Sequence, residues 1–254
     1  MSKAQITIFI IIGLIILGGA TAYFFLQEKS IPEARPPSDV ESSVTTFMQT
    51  CLQNTLSEGI KSVSEHGGYI TPVPVPYVTL GTQDVNAILY TRGNASANIA
   101  KDNIERELSI YLLSKLDSCT NNFADFTKQG LTIETIPAQT NLAVTIYPDN
   151  VAVQADYPMT ITQTNSKYGL KTFKTSVPAK LGKYVDIANA LIEEQNANPY
   201  QVCISCLSKS ALTNGYLFNL IVGGNNTYIV QLIPTEINEK PFYYAMVMAE
   251  RGEA

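Results

Sequence analysis

The chain contains one histidine, His66, and no tryptophan. Zinc sites of the usual types draw several ligands from His and Cys, so one histidine argues against such a site and no metal is expected. His66-Gly67-Gly68 has the look of an oxyanion-hole string, yet no G-x-S-x-G nucleophile elbow accompanies it and no second histidine offers a base. Those residues read instead as a helix terminus. Phosphate-cradling loops are missing too: there is no G-x-G-x-x-G and no Walker A loop, and Gly223-Gly224-Asn225-Asn226 reads as a hairpin turn. Charge is scarce at 15% of residues, and 22 acidic side chains outnumber 17 basic ones for a net charge of −5. Nucleic-acid recognition needs clustered Lys and Arg, so no nucleic-acid partner is expected. The adjacent acids Glu193 and Glu194 have no opposing carboxylate that the sequence can place, and they read as a solvated helix face. No cofactor motif remains, no catalytic residue is assigned, and the balance is against an enzyme.

What is present begins with an apolar run. Ile6–Leu26 is about twenty-one residues long and holds no charged side chain. At about 1.5 Å per residue, a helix of that length crosses a hydrocarbon core of about 30 Å. A helix bonds every backbone N–H and C=O internally, as lipid requires. Tyr23, Phe24 and Phe25 sit at one end, where an aromatic belt meets the headgroups. A cleaved secretory signal has a shorter apolar core, and here the run continues through Phe24-Phe25-Leu26 past the small residues 18–22. Residues 1–26 are therefore read as an uncleaved anchor in contact with membrane lipid. Gly18 and Ala22 form a small-x-x-x-small pair on which two anchors can pack. Residues 27–39 hold Pro32, Pro36 and Pro37 and read as a stiff linker.

Lys3 and the amino terminus against Lys29 and Arg35 leave orientation undecided by charge. Cysteines and sequons tip it outward. Four cysteines, Cys51, Cys119, Cys203 and Cys206, suit two disulfides in an exported domain. Asn94-Ala95-Ser96 and Asn225-Asn226-Thr227 are N-x-S/T acceptors, making Asn94 and Asn225 candidate glycosylation sites. The expected arrangement is a single-pass cell-membrane protein, amino terminus inside and main domain outside.

Residues 40–254 read as one α+β domain, or as a helical part over 40–130 and a sheet-rich part over 131–254. Ser38-Asp39-Val40-Glu41 reads as a capping box. Val40, Val44, Phe47, Met48, Cys51, Leu52, Leu56, Ile60 and Val63 then follow at helical spacing. Residues 77–99 read as a loop with a short strand near Asn86–Tyr90. Ala100–Ser118 is a second helix, with Ile104, Leu108, Tyr111, Leu112, Leu116 and Cys119 on its apolar face and Glu105 and Arg106 outside it. From Leu131 the period is two. Leu142–Tyr147 and Val151–Tyr157 read as one hairpin, and Met159–Gln163 and Leu170–Val177 as another. Tyr184–Glu194 is a third helix, a short helix follows Pro199 at N1, and Tyr216–Val222, Thr227–Ile233 and Phe242–Ala249 form a meander. Helices and strands come in blocks without βαβ alternation, which predicts long amphipathic helices packed on antiparallel sheet.

Cys203-Ile-Ser-Cys206 is the sharpest candidate for chemistry. A CxxC at a helix N-terminus lowers a thiol pKa and runs disulfide exchange, but a thioredoxin-like context needs a preceding buried strand and a βαβ unit. Here a polar connection precedes it, which favours a structural disulfide. Cys51 and Cys119, on the apolar faces of the two long helices, are expected to staple them. The enclosed loop of about 68 residues makes that worth roughly 4 kcal/mol. Ser205 and Lys209, four apart, match a Ser–Lys dyad only by a spacing common on helices.

Two resemblances follow from quoted strings. Lys3-Ala4-Gln5-Ile6-Thr7-Ile8-Phe9-Ile10 resembles the class III signal of archaeal type IV pilin-like proteins, which implies processing between Ala4 and Gln5. The longer resemblance is to a group of uncharacterised single-pass membrane proteins of small-genome archaea. It rests on the anchor, the Cys51 helix before Gly67–Ile70, the second helix near Cys119, Tyr157–Ile161 and Val177–Lys183. That resemblance implies topology and fold, and no activity.

The function expected from these readings is a membrane-anchored structural or binding role: cell-envelope organisation, adhesion or attachment to an envelope protein, a glycan or a second copy. A pilin-like filament subunit is the first alternative. An envelope thiol oxidoreductase using Cys203 and Cys206 is the second.

Overall fold

In a computed structural model, the structure describes residues 39–70, 76–80, 86–88, 99–164, 166–198, 200–223, 226–236 and 239–247. The chain divides into two compact units, residues 1–42 and 43–254. Only residues 39–42 of the first are described. Among the described residues no helix is long and apolar enough to cross a membrane. The expected anchor over residues 6–26, with Gly18 and Ala22, lies outside the described residues, as do Ala4, Gln5, Asn94 and Asn225.

The second unit is α+β with antiparallel sheets, as expected. Helix α1, Asp39–Glu65, buries Val44, Met48, Cys51, Leu52, Leu56, Ile60 and Val63, the 3.6-residue stripe of the sequence. It stops at His66-Gly67-Gly68. Gly67 and Gly68 take φ of +59° and +97°, and the Gly68 N–H donates to Val63 O at 2.7 Å. Positive φ is cheap for glycine, so the chain turns there without strain. Strands β1 (Tyr77–Thr79) and β2 (Asn86–Ile88) pair as a small antiparallel ladder. Helix α2, Lys101–Thr120, runs antiparallel to α1: Cys51 meets Cys119, while a Cβ on Gly59 would lie 3.0 Å from Leu108 and from Tyr111. Ile104, Leu108, Leu112 and Leu116 form its buried stripe.

A short turn of 3-10 helix leads into helix α3 (Ala124–Lys128) and strand β3 (Leu131–Thr135). Strands β4 (Asn141–Ile146), β5 (Asn150–Gln163) and β6 (Ser166–Pro178) complete the larger sheet. β5 is its spine. β6 lies along one edge of β5; β4 and β3 lie end to end along the other, opposite residues 151–156 and 159–163. The two sequence segments on either side of Pro158 are therefore one strand. Its alternate residues Val151, Val153, Ala155, Tyr157, Met159 and Ile161 are all buried. Pro158 offers no N–H, and the register shifts between Asp156 and Met159 where a ladder bond would be missing. The Pro158 carbonyl is still used, accepting from the Ile136 N–H at 3.1 Å.

Side-chain amides finish the outer edge of β6: Gln49 and Gln53 of α1 donate to Lys174 O and Ser176 O at 3.0 and 3.4 Å. Glu105, expected outside the apolar face of α2, is half-buried, and its Oε1 accepts the Ile146 N–H at 2.8 Å. An edge N–H of β4 with no strand partner there takes a carboxylate instead. Helix α4, Leu181–Ala197, crosses the β4–β5 turn at Gly182 and is tied to Ile99 by Asn189, which both accepts from its N–H and donates to its carbonyl. Helix α5, Ile204–Asn214, leads through Gly215 into the second sheet, β7 (Tyr216–Val222), β8 (Thr227–Pro234) and β9 (Phe242–Val247), in that order. The two meanders thus form separate sheets. Ala87 of β2 packs with Ile229, Tyr243 and Ala245 against the second one.

Candidate functional site

All four cysteines are paired, Cys51 with Cys119 and Cys203 with Cys206, at Cα separations of 5.7 and 5.2 Å. The first pair joins α1 to α2, with Cys51 buried and Cys119 half-buried. One turn beyond it, Phe47 meets Phe126 edge-to-face at a centroid distance of 5.2 Å and Phe123 at 6.0 Å, closing that end of the helix pair with apolar surface.

The second pair is set differently. The chain does not resume helix directly after Pro199, as expected, but at Ile204. The cause is Gln195 on the last turns of α4, a side chain only 6% exposed. Its Nε2 donates to Asn198 O at 2.7 Å and to Gln201 O at 2.8 Å, and its Oε1 accepts the Cys203 N–H at 3.1 Å. Three bonds to one amide tie Asn198, Gln201 and Cys203 to the end of α4 and deliver Cys203 to the N-cap of α5. There the Cys203 Sγ accepts the Cys206 N–H at 3.3 Å and lies 3.5 Å from Ser205 Oγ. Both cysteines are half-buried. The Glu194 carboxylate completes the group: a carboxylate oxygen and the two sulfurs lie within 4.8 Å of one another. Ser205, Glu194 and Gln195 were individually visible in the sequence; the loop that folds them together was not. A helix follows the pair and another precedes it, so the setting is not a βαβ unit.

Sequence reasoning missed a third group. A cavity of about 150 Å³ lies between the second half of α1 and the start of α4, lined by Ser57, Ser64, Lys180, Tyr184 and Glu239 among others. Lys180 pairs with Glu236 and lies 3.9 Å from Glu239. Burial holds the Glu239 carboxyl above its usual range, against the opposing pull of the Lys180 ammonium. Burial, then the Glu239 and Glu236 carboxylates, push the Tyr184 phenol far above its ordinary value. Glu239 Oε2 is buried without a hydrogen-bond partner. Such a group carries a desolvation cost and is open to a polar ligand. No signal in the sequence links Lys180 to Glu239, because they stand far apart in the chain and share no motif.

His66 is buried, its Nδ1 donates to the Ser62 carbonyl at 2.7 Å and lies 3.5 Å from the Ser62 hydroxyl, so the His-Gly-Gly string and its nearest partners belong to the helix end. No protein-family model, curated protein or solved structure matches this chain.

Proposed function

We propose that this chain is a single-pass membrane protein whose α+β domain lies outside the cytoplasm and acts in envelope organisation, adhesion or attachment. The observation that carries the reading is the cysteine chemistry. Four of four cysteines sit in pairs within the domain, and such pairs persist in oxidising compartments. The uncharged run Ile6–Leu26 supplies the membrane-spanning length. The Lys180–Glu239 cavity offers a polar recess for a small group of a partner or glycan.

Intact mass of the full-length protein from membranes, alkylated with and without reductant, tests the reading. The expected chain keeps its first residues and gains four alkyl groups only after reduction. Four thiols alkylated without reduction would sink the outward placement. Loss of the first four residues would replace the attachment role by that of a pilin-like subunit.

A further inference from the structure

The Cys203–Cys206 pair differs from Cys51–Cys119 in ways a purely structural bridge does not need. It spans three residues of chain, so it restrains the unfolded state little. Both of its cysteines are half-buried, whereas the first pair sets a buried Cys51, 5% exposed, beside a half-buried Cys119. Cys203 Sγ sits on the positive end of an eleven-residue helix and already accepts a backbone N–H, the setting that stabilises a thiolate. A carboxylate, Glu194, stands beside both sulfurs. The same helix then presents Ile204 and Leu212 to solvent, 49% and 88% exposed. Spaced eight residues apart, they share a face, about 12 Å along the helix. Leu212 lines an open hollow with Leu217 of β7, and β7 is the outer strand of its sheet, pairing only with β8 among the described residues. An outer strand beside an apolar hollow suits an extended polypeptide.

We propose that Cys203–Cys206 is a thiol–disulfide exchange centre that acts on cysteine pairs of extended, apolar polypeptide. This goes beyond an attachment role and does not depend on it. A substrate thiolate attacks Cys203 Sγ. A substrate–Cys203 disulfide forms, the Cys203–Cys206 bond breaks, and Cys206 leaves as a thiolate that takes up the substrate's proton by way of the Glu194 carboxylate. The second substrate thiolate then attacks the substrate sulfur of the mixed disulfide. Cys203 leaves as a thiolate held by the Cys206 N–H and the helix end, and is protonated by the second proton. Two electrons and two protons pass from the substrate dithiol to the pair. A small-molecule disulfide of the glutathione class takes them up in turn and restores the bond.

The test uses the full-length chain in detergent and a synthetic unfolded peptide carrying two cysteines flanked by Leu and Phe. Wild type is expected to speed oxidation of the reduced peptide by oxidised glutathione at least ~10-fold over C203S/C206S, the scale of a thiol activated at a helix N-terminus. C206S is expected to accumulate a one-to-one mixed disulfide at Cys203, seen by intact mass, and C203S none. E194Q, which removes the proton-carrying carboxylate, shifts the pH profile of the rate while leaving the mixed disulfide intact. L212E lowers the peptide rate by roughly 10-fold, the loss of one apolar contact. A C206S chain that captures no peptide at Cys203 overturns the proposal. So does a Cys203–Cys206 bond that stays closed in glutathione buffers that open Cys51–Cys119. Capture of glutathione but never of peptide overturns the polypeptide substrate.

Discussion

Replacing Cys51 and Cys119 by alanine tests where the stability of the domain comes from. The bridge closes a separation of 68 residues. In the loop-entropy account, cutting it returns about 4 kcal/mol of freedom to the unfolded chain. Replacing Cys203 and Cys206, three residues apart, returns only about 2 kcal/mol by the same arithmetic. Both variants lose two sulfurs, so their difference isolates loop length from lost packing. For a domain of this size each kcal/mol shifts Tm by about 2–4 °C, so C51A/C119A should melt roughly 8–16 °C below wild type. Urea titration of the full-length protein measures the same loss, and the slope m should rise because the uncrosslinked chain exposes more surface on unfolding. Equal losses for the two double variants, or an unchanged m for C51A/C119A, would refute the entropic reasoning and place the stabilisation in native contacts instead.

Three further outcomes follow from single side chains. In G182A the new Cβ would sit 2.4 Å from Tyr147 O, a backbone atom that cannot swing aside; a loss of about 2–3 kcal/mol is expected, and a urea midpoint equal to wild type would contradict the close crossing of α4 over the β4–β5 turn. Q195A removes the three bonds that shape residues 198–203 and should cost about 2–4 kcal/mol, with hydrogen exchange rising first at Cys203; unchanged protection there would count against the clamp. Burial raises the Glu239 carboxyl above its ordinary 4.5, so its share of stability is full below that value and is lost as pH rises through the folded-state value. E239Q, neutral throughout, is therefore expected to be more stable than wild type at pH 7 and equal to it in acid; a less stable E239Q at pH 7 would show that the Lys180 contact outweighs burial.

Much of the architecture was legible in the residues. The buried stripes of α1 and α2, the period-two run from Leu131, the glycine stop at residues 67 and 68 and the terminal meander all appear where local patterning places them. So does the pairing of Cys51 with Cys119, since both lie on apolar stripes that must face each other. The division of Val151–Tyr157 and Met159–Gln163 between two hairpins did not survive, since Pro158 lies within one strand. Local rules see a residue without an N–H, whereas two flanking strands and a bulge absorb it. The start of α5 was misplaced because the proline rule is local and the grip of Gln195 is not.

Local patterning set most of the elements and which of their faces are apolar, because periodicity and turn chemistry act over a few residues. Tertiary structure decided which polar side chains are functional in the fold. Glu105 on a strand edge, Gln195 around a loop and Glu239 beside Lys180 carry no motif in the sequence. They gain their roles only when distant backbone N–H groups, carbonyls and charges are brought out of water beside them, where an unmade bond is costly.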